Sequence, residues 1–287
     1  VSFGVRPPGF RLPESTQVGA VHLQIADLSR SLAYYGEVLG LGVLDRSRQE
    51  ATLGTDRALV HLQARVGAKP VPRRGAYGLF HFAILLPDRA ALSRFAAHLG
   101  RLGLRAGMAD HLVSEALYLS DPDGLGIEVY SDRPRSTWRQ QGQELAMTTD
   151  PLDLEDLLAA GGTPWSGMPA GTTMGHVHLH VGELDAAATF YHRALGLDMT
   201  VWSYPGALFF SAGGYHHHLG TNTWSPGPAA AENQARLLHW ELLLPAQADL
   251  RAAAESLLAS GYRADRDMQA LVTVDPWGTS LRLTPRA

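Results

Sequence analysis

The sequence predicts an α+β fold made of four copies of one βαβββ module, and three observations predict it. HLQIADLSRSLAYYGEVLGL from His22 returns half a chain later as HLHVGELDAAATFYHRALGL from His178. LFHFAILLP around His81 returns as LLHWELLLP around His239. DPDGLGIEVY from Asp121 returns as DPWGTSLRLT from Asp275. Each half of the chain therefore carries two different units.

The periodicities within each unit agree with a strand, then a helix, then a meander. In the first unit Val21, Leu23 and Ile25 alternate with Ala20, His22 and Gln24, the signature of a half-buried strand. Leu32, Tyr35 and Leu39 then share one helix face from a start near Ser29, and Gly40 stops the helix. Residues 43–52 and 58–64, with Gly54 between them, read as strands. The second unit opens with a strand over 80–86, continues with a helix over 88–102 and ends with a strand over 125–130, after the Asp-Pro-Asp-Gly turn. Residues 135–171 break the pattern and read as a linker with a short helical run over 152–159. The third unit spans 173–224 and the fourth 237–285, separated by a Pro-Gly-Ala segment at 225–231. The expected division is a first domain over 16–134, a linker over 135–171 and a second domain over 172–287.

Composition bounds the chemistry. The 287 residues, 45% hydrophobic and 18% charged, suffice for two cores. No run approaches the ~18 apolar residues of a membrane span, and the opening VSFGVRPPGF has neither a charged nor an apolar leader region, so the expectation is a cytoplasmic protein with no membrane partner. There is no cysteine, so a metal would be held by Asp, Glu or the 13 histidines. A net charge of -4 without a basic cluster argues against nucleic acid. A homo-oligomer is compatible with the sequence.

The strand-helix segment from Gly175, the DPDGLGIEVY ending and GGYHHHLGTNTW from Gly213 resemble the vicinal-oxygen-chelate superfamily of glyoxalases, bleomycin resistance proteins and extradiol dioxygenases. Within it the chain is most similar to two-domain catechol 2,3-dioxygenase-like proteins, a resemblance that covers all but the first fifteen residues. It implies two fused vicinal-oxygen-chelate domains with curved mixed sheets that cup a metal.

Strand alternation then decides which polar residues face the cup. Val21, Leu23, Ile25; Phe80, Phe82, Ile84; Val177, Leu179, Val181; and Leu238, Trp240, Leu242 belong to the helix-facing side. The opposite side carries His22 and Gln24; His81; His176, His178 and His180; and His239 with Glu241. On the last strands the same parity sends Glu128, Tyr130 and Arg282 inward. The resemblance places ligands at the opening of an odd unit's first strand, at the His of an even unit's first strand and on that unit's last strand. Sequential pairing gives Ala20/His81/Glu128 and His176/His239/Arg282, neither of them complete. Pairing units two and three gives His81, Glu128 and His176, a full two-His-one-carboxylate set. The alternative keeps sequential pairing and substitutes His22, but two residues along a strand is a displacement of about 6.5 Å. His22 and His239 also fit the ordinary role of a hydrogen-bonded histidine on a half-buried strand.

Two imidazoles and one carboxylate suit Fe(II), with Mn, Ni or Zn as alternatives, and the resemblance implies a small aromatic diol and O2 as substrates. Tyr130, His178, Asn222 and Trp224 are the candidate substrate contacts. The run at 213–224 reads as the last strand of unit three, on which His216 and His218 face the cavity and His217 faces away. His218, after it His216 and last His217 are the candidates for the general acid/base, and parity alone does not choose among them. Two other readings stand beside the Fe(II)-dependent extradiol dioxygenase. One is a glyoxalase-like lyase or isomerase with a fourth ligand from 216–218. The other is a metal-free binding or resistance protein, which Ala20 and Arg282 would suit.

Overall fold

The computed structural model describes residues 3–72, 76–267 and 269–286. All four modules are present. The first comprises β1 (Gln17–Ile25), α1 (Leu28–Glu37), β2 (Gly42–Arg46), β3 (Glu50–Gly54) and β4 (Ala58–Ala64). The second comprises β5 (Gly78–Leu85), α2 (Arg89–Arg101), β6 (Gly107–Asp110), β7 (Ser114–Ser120) and β8 (Gly126–Asp132). A two-stranded ladder, β9 (Gln140–Gln141) and β10 (Glu144–Leu145), and the short α3 (Leu154–Ala159) follow. The third module comprises β11 (Thr173–His180), α4 (Leu184–Ala187) continuing into a π-helical run (Ala188–Ala194), β12 (Asp198–Val201), β13 (Ala207–Ser211) and β14 (Leu219–Asn222). The fourth comprises β15 (Arg236–Leu244), α5 (Gln247–Ala259), β16 (Asp265–Asp267), β17 (Ala270–Val274) and β18 (Ser280–Pro285).

Local chemistry sets the element boundaries. Asp27 and Asp88 accept from the Arg30 and Ala91 N–H groups and so satisfy otherwise orphaned donors at the starts of α1 and α2. In the turns before β8 and β18, Asp121 accepts from Asp123 and Leu125 N–H, and Asp275 accepts from Trp277 and Thr279 N–H. Each of these aspartates also accepts a tyrosine hydroxyl from the preceding module's helix, Tyr35 and Tyr191 respectively. Burial raises both carboxyls, Asp121 to about 6, against those hydrogen bonds.

Two eight-stranded mixed sheets result, ordered β16-β17-β18-β15-β1-β4-β3-β2 and β12-β13-β14-β11-β5-β8-β7-β6. The seams are antiparallel, β1 with β15 and β11 with β5. Module one thus shares a sheet with module four, and module two with module three. Each sheet draws one module from each half of the sequence, so the division at 135–171 separates halves of the chain and not the two sheets. Of the two pairings that the ligand pattern left open, the structure has the one that joins units two and three.

The core lies where the strand parity puts it, with two departures at equivalent bulges: Phe80, and Leu238, which the β1/β15 register skips between His239 and Leu237 and which is half-buried. Val21, Leu23, Ile25, Phe82, Ile84, Val177, Leu179, Val181, Trp240 and Leu242 are fully buried in one cluster with Tyr35, Phe95, Phe190 and Leu257 of the helices. Phe80, expected on that face, is 37% exposed. The β5/β11 register shifts between His178/His81 and Leu179/Leu79, which leaves Phe80 unpaired at a bulge and turns its ring toward His178, His180 and Trp224.

Candidate metal centre and substrate cavity

In the sheet of modules two and three, three strands bring His81 (β5), Glu128 (β8) and His176 (β11) together. All three are buried, and their ligand atoms form one compact group. Glu128 Oε2 lies 2.9 Å from His81 Nε2 and 3.1 Å from His176 Nε2. The imidazole rings stand at 69° to each other, so their nitrogens converge rather than stack. Although 2.9 Å from the carboxylate, His81 Nε2 makes no aligned hydrogen bond among the described residues. A buried nitrogen in that state fits a cation between the three groups, and the donor set fits a divalent metal.

The electrostatics agree with that reading. Burial alone would raise the Glu128 carboxyl, but the charge and hydrogen bond of His176, with the close approach of His81, outweigh it and hold the acid well below its usual range. Burial pushes His176 down to about 4, against the pull of Glu128. Near neutral pH the site therefore presents an ionised carboxylate and a neutral His176, the protonation state a metal requires of its ligands.

A cavity of about 360 Å³ opens over the group, lined also by His178, His217, Tyr118, His111, Phe80, Phe209, Tyr204, Trp224 and residues 147–149. No Lys or Arg is among these lining residues. Tyr118 accepts from or donates to His111 Nε2 at 2.6 Å, and burial followed by the Glu128 charge raises its phenol far above the ordinary value, so it remains a hydroxyl. Sequence reasoning passed over Tyr118 and His111 because neither stands in a repeated segment. It also passed over residues 147–149, read as linker. The segment is pinned in place by paired backbone hydrogen bonds between Asp110 and Asp150, both 2.9 Å, and by the bond that His111 Nδ1–H donates to Thr148 O.

The other candidates fall in different places. His178 and Trp224 line the cavity, as a substrate contact must. Asn222 is fully buried behind them; its side chain meets His178 Nε2 at 3.0 Å and His180 Nδ1 at 2.7 Å, so it holds imidazoles in position. Tyr130 is also fully buried, packed on His176 with its hydroxyl 2.7 Å from that of Tyr215.

The facing expected for the three consecutive histidines is reversed. β14 begins at Leu219, so residues 216–218 are not strand, and Gly213 and Gly214, both at positive φ, turn the chain just before them. Alternation does not apply across such a turn. His217 is the one that lines the cavity, its ring 4.0 Å from that of His176. His216 sits behind it. His218 points elsewhere, with Nδ1 accepting from Ala212 N–H. Burial, then neighbouring imidazoles, hold His217 well below its ordinary pKa and His218 at about 3.

His22 and His239 belong to the other sheet, where with Glu241 they form a second compact group. There the rings of His61, His22 and His239 are stacked face to face, with centroids 4.1 and 3.8 Å apart. His22 Nε2 is hydrogen-bonded to Glu241 at 3.1 Å. Stacked rings do not aim two nitrogens at a common centre, and this group lies outside the sheet that carries His81, so His22 does not complete the first site. Arg282 bonds Asp267 and not Glu241.

Comparisons with known proteins agree with the geometry. Residues 17–129 and 173–273 match the Glyoxalase/Bleomycin resistance protein/Dioxygenase superfamily. The chain is 43% identical over 271 residues to the catechol-2,3-dioxygenase of Bacillus subtilis (strain 168), covering 92% of this chain and 95% of that one. Among solved structures, a putative dioxygenase from Bacillus subtilis has the same fold at a TM-score of 0.65 and 14% identity, over 96% of this chain and 86% of that one. Glyoxalase I from Zea mays has it at a TM-score of 0.55 and 18% identity, over 94% and 92%. The chain belongs to the glyoxalase/bleomycin resistance protein/dioxygenase superfamily, as two fused vicinal-oxygen-chelate units of the catechol 2,3-dioxygenase-like kind.

Proposed function

We propose that this protein is an Fe(II)-dependent extradiol dioxygenase that opens the ring of an uncharged catechol beside its two hydroxyls. The convergence of His81, Glu128 and His176 in an aromatic-lined cavity carries the proposal, and the 43% identical relative supports it. Three protein donors would hold the iron and leave positions for the diol and O2, whereas a glyoxalase-like site with a fourth ligand is not favoured, since His217 is outside the donor group. The bound metal would supply Lewis acidity that acidifies the diol.

The remaining work falls to the cavity residues. Phe80, Phe209, Tyr204 and Trp224 sandwich a flat ring and exclude water from it. His178, fixed by Asn222, and the Tyr118 hydroxyl offer hydrogen bonds at the cavity floor. His217 is the imidazole placed to accept and return a diol proton. Among the described residues no Lys or Arg lines the cavity to pair an acidic ring substituent, which is why an uncharged catechol is favoured.

The test is anaerobic loading with Fe(II), metal analysis, and O2 uptake on a panel of catechols with isotopically labelled dioxygen. One iron per chain and both labelled oxygen atoms in a ring-opened product are expected. Iron-loaded protein that consumes no O2 with any catechol would refute the proposal.

A further inference from the structure

We propose that Asp132, acting through His216, fixes the tautomer of His217 so that its Nε2 lone pair faces the substrate cavity. Asp132 is a positioning residue in this scheme. The inference rests on the reading of His217 as the acid/base group, but its central claim concerns a hydrogen-bond chain that exists whatever the reaction.

The chain is continuous from the rim of the protein to the cavity wall. Asp132 closes β8, four residues beyond Glu128, and its side chain is 27% exposed. Its Oδ1 lies 2.9 Å from His216 Nε2, and His216 Nδ1 lies 2.7 Å from His217 Nδ1. His216 is completely buried and lines no part of the cavity, while His217 does.

The hydrogen-bonding inventory of each group then dictates the next. An ionised carboxylate only accepts, so His216 must donate from Nε2. A neutral imidazole has one proton, which leaves His216 Nδ1 bare and able only to accept. The proton in the 2.7 Å contact must therefore sit on His217 Nδ1, and a neutral His217 is left with a bare Nε2. That nitrogen is the one free to take a proton from a bound diol. With the opposite tautomer His217 could only donate there.

The same carboxylate is itself oriented. Tyr215 donates to Asp132 Oδ1 at 3.1 Å, and Tyr130 donates in turn to the Tyr215 hydroxyl at 2.7 Å. Tyr130 packs against His176, so the element that aims the carboxylate also abuts the metal ligand. Glu128 thus lines the cavity, while Asp132, four residues along the same strand, reaches it only through His216 and His217.

The experiment combines a tautomer measurement with kinetics in Asp132→Ala and Asp132→Glu. In protein labelled with nitrogen-15 at histidine and loaded with Zn(II), His217 is expected to show a protonated Nδ1 and a bare Nε2. Asp132→Ala should give a mixture, and Asp132→Glu should restore the single form. In the Fe(II) enzyme Asp132→Ala should lower kcat about ten- to a hundredfold, the usual size for loss of an outer hydrogen-bond partner, with KM and iron content unchanged. A His217 tautomer insensitive to Asp132→Ala, or a wild-type His217 protonated at Nε2, overturns the inference. Absence of catechol cleavage in the wild type would refute the dioxygenase reading alone, since the tautomer measurement does not depend on it.

Discussion

Replacing Glu128 by Gln tests the metal centre most directly, because the substitution keeps the shape of a buried side chain and removes only its charge. Among the described residues the donor group has three members, so no spare carboxylate compensates. A unit charge about 2.1 Å from a dication is worth about 4 kcal/mol even at the dielectric of bulk water, and more in a buried site. That corresponds to a loss of about a thousandfold in metal affinity. At a metal concentration of about 100 Kd the wild-type protein gains about 2.7 kcal/mol, which for a chain of this length raises Tm by roughly 5 °C. The same concentration is only about a tenth of the variant's Kd, so its Tm should move by less than about 0.5 °C. Thermal unfolding under nitrogen, with and without Fe(II), reads both shifts. Glu241→Gln, in the other sheet, should leave the wild-type shift intact. An undiminished shift in Glu128→Gln, or its loss in Glu241→Gln, would refute the assignment of the metal to modules two and three.

Three further outcomes follow from the same geometry. His217→Ala should lower turnover by about 10²–10⁴ with iron retained, while His218→Ala, which loses a contact to the Ala212 N–H, should act on stability by about 1–3 kcal/mol; turnover, iron content and melting separate the two. A catechol bearing a carboxylate should show kcat/KM about 10²-fold or more below its methyl analogue, since among the described residues no Lys or Arg lines the cavity to offset several kcal/mol of desolvation; equal values would contradict the cavity. The metal-free protein should lose stability as pH falls from about 6.5 toward 4. The buried histidines have folded pKa values below the unfolded one, at about 4 for His176 and about 3 for His218, so the unfolded chain binds more protons in that window. The slope is about 1.4 kcal/mol per pH unit for each such histidine, and chemical denaturation at stepped pH measures it.

The repeat made much of this legible before any coordinate was known. Strand, helix and terminal-strand signatures are local, so four modules and the inward facing of His81, Glu128 and His176 could be read from alternation alone. What alternation cannot see is a break in alternation. The bulge at Phe80 converts an expected core residue into a cavity wall, and the glycine turn at 213–214 brings His217 rather than His216 or His218 to the cavity. Tyr118, His111 and residues 147–149 reach the cavity through tertiary placement, for which the sequence carries no periodic signal.

The two sheets show that function here is written on very few positions of a shared framework. His22 faces His239 across the β1/β15 seam in the register that His178 and His81 occupy across β11/β5. Glu241 pairs with Arg282 as Ala83 pairs with Glu128, so Arg282 holds the place of the Glu128 carboxylate. A guanidinium there cannot ligate a cation and repels one, and Ala20 offers nothing where the other sheet has His176. Arg282 is tied to Asp267 and Glu241 to His22, so the second sheet spends its polar groups on each other. With backbone pairing preserved and these side chains exchanged, one cup gathers two imidazoles and a carboxylate and the other closes into a stack of three imidazoles. The register of the sheets therefore supplies the site's geometry, and the residues at three positions decide whether that geometry holds an ion.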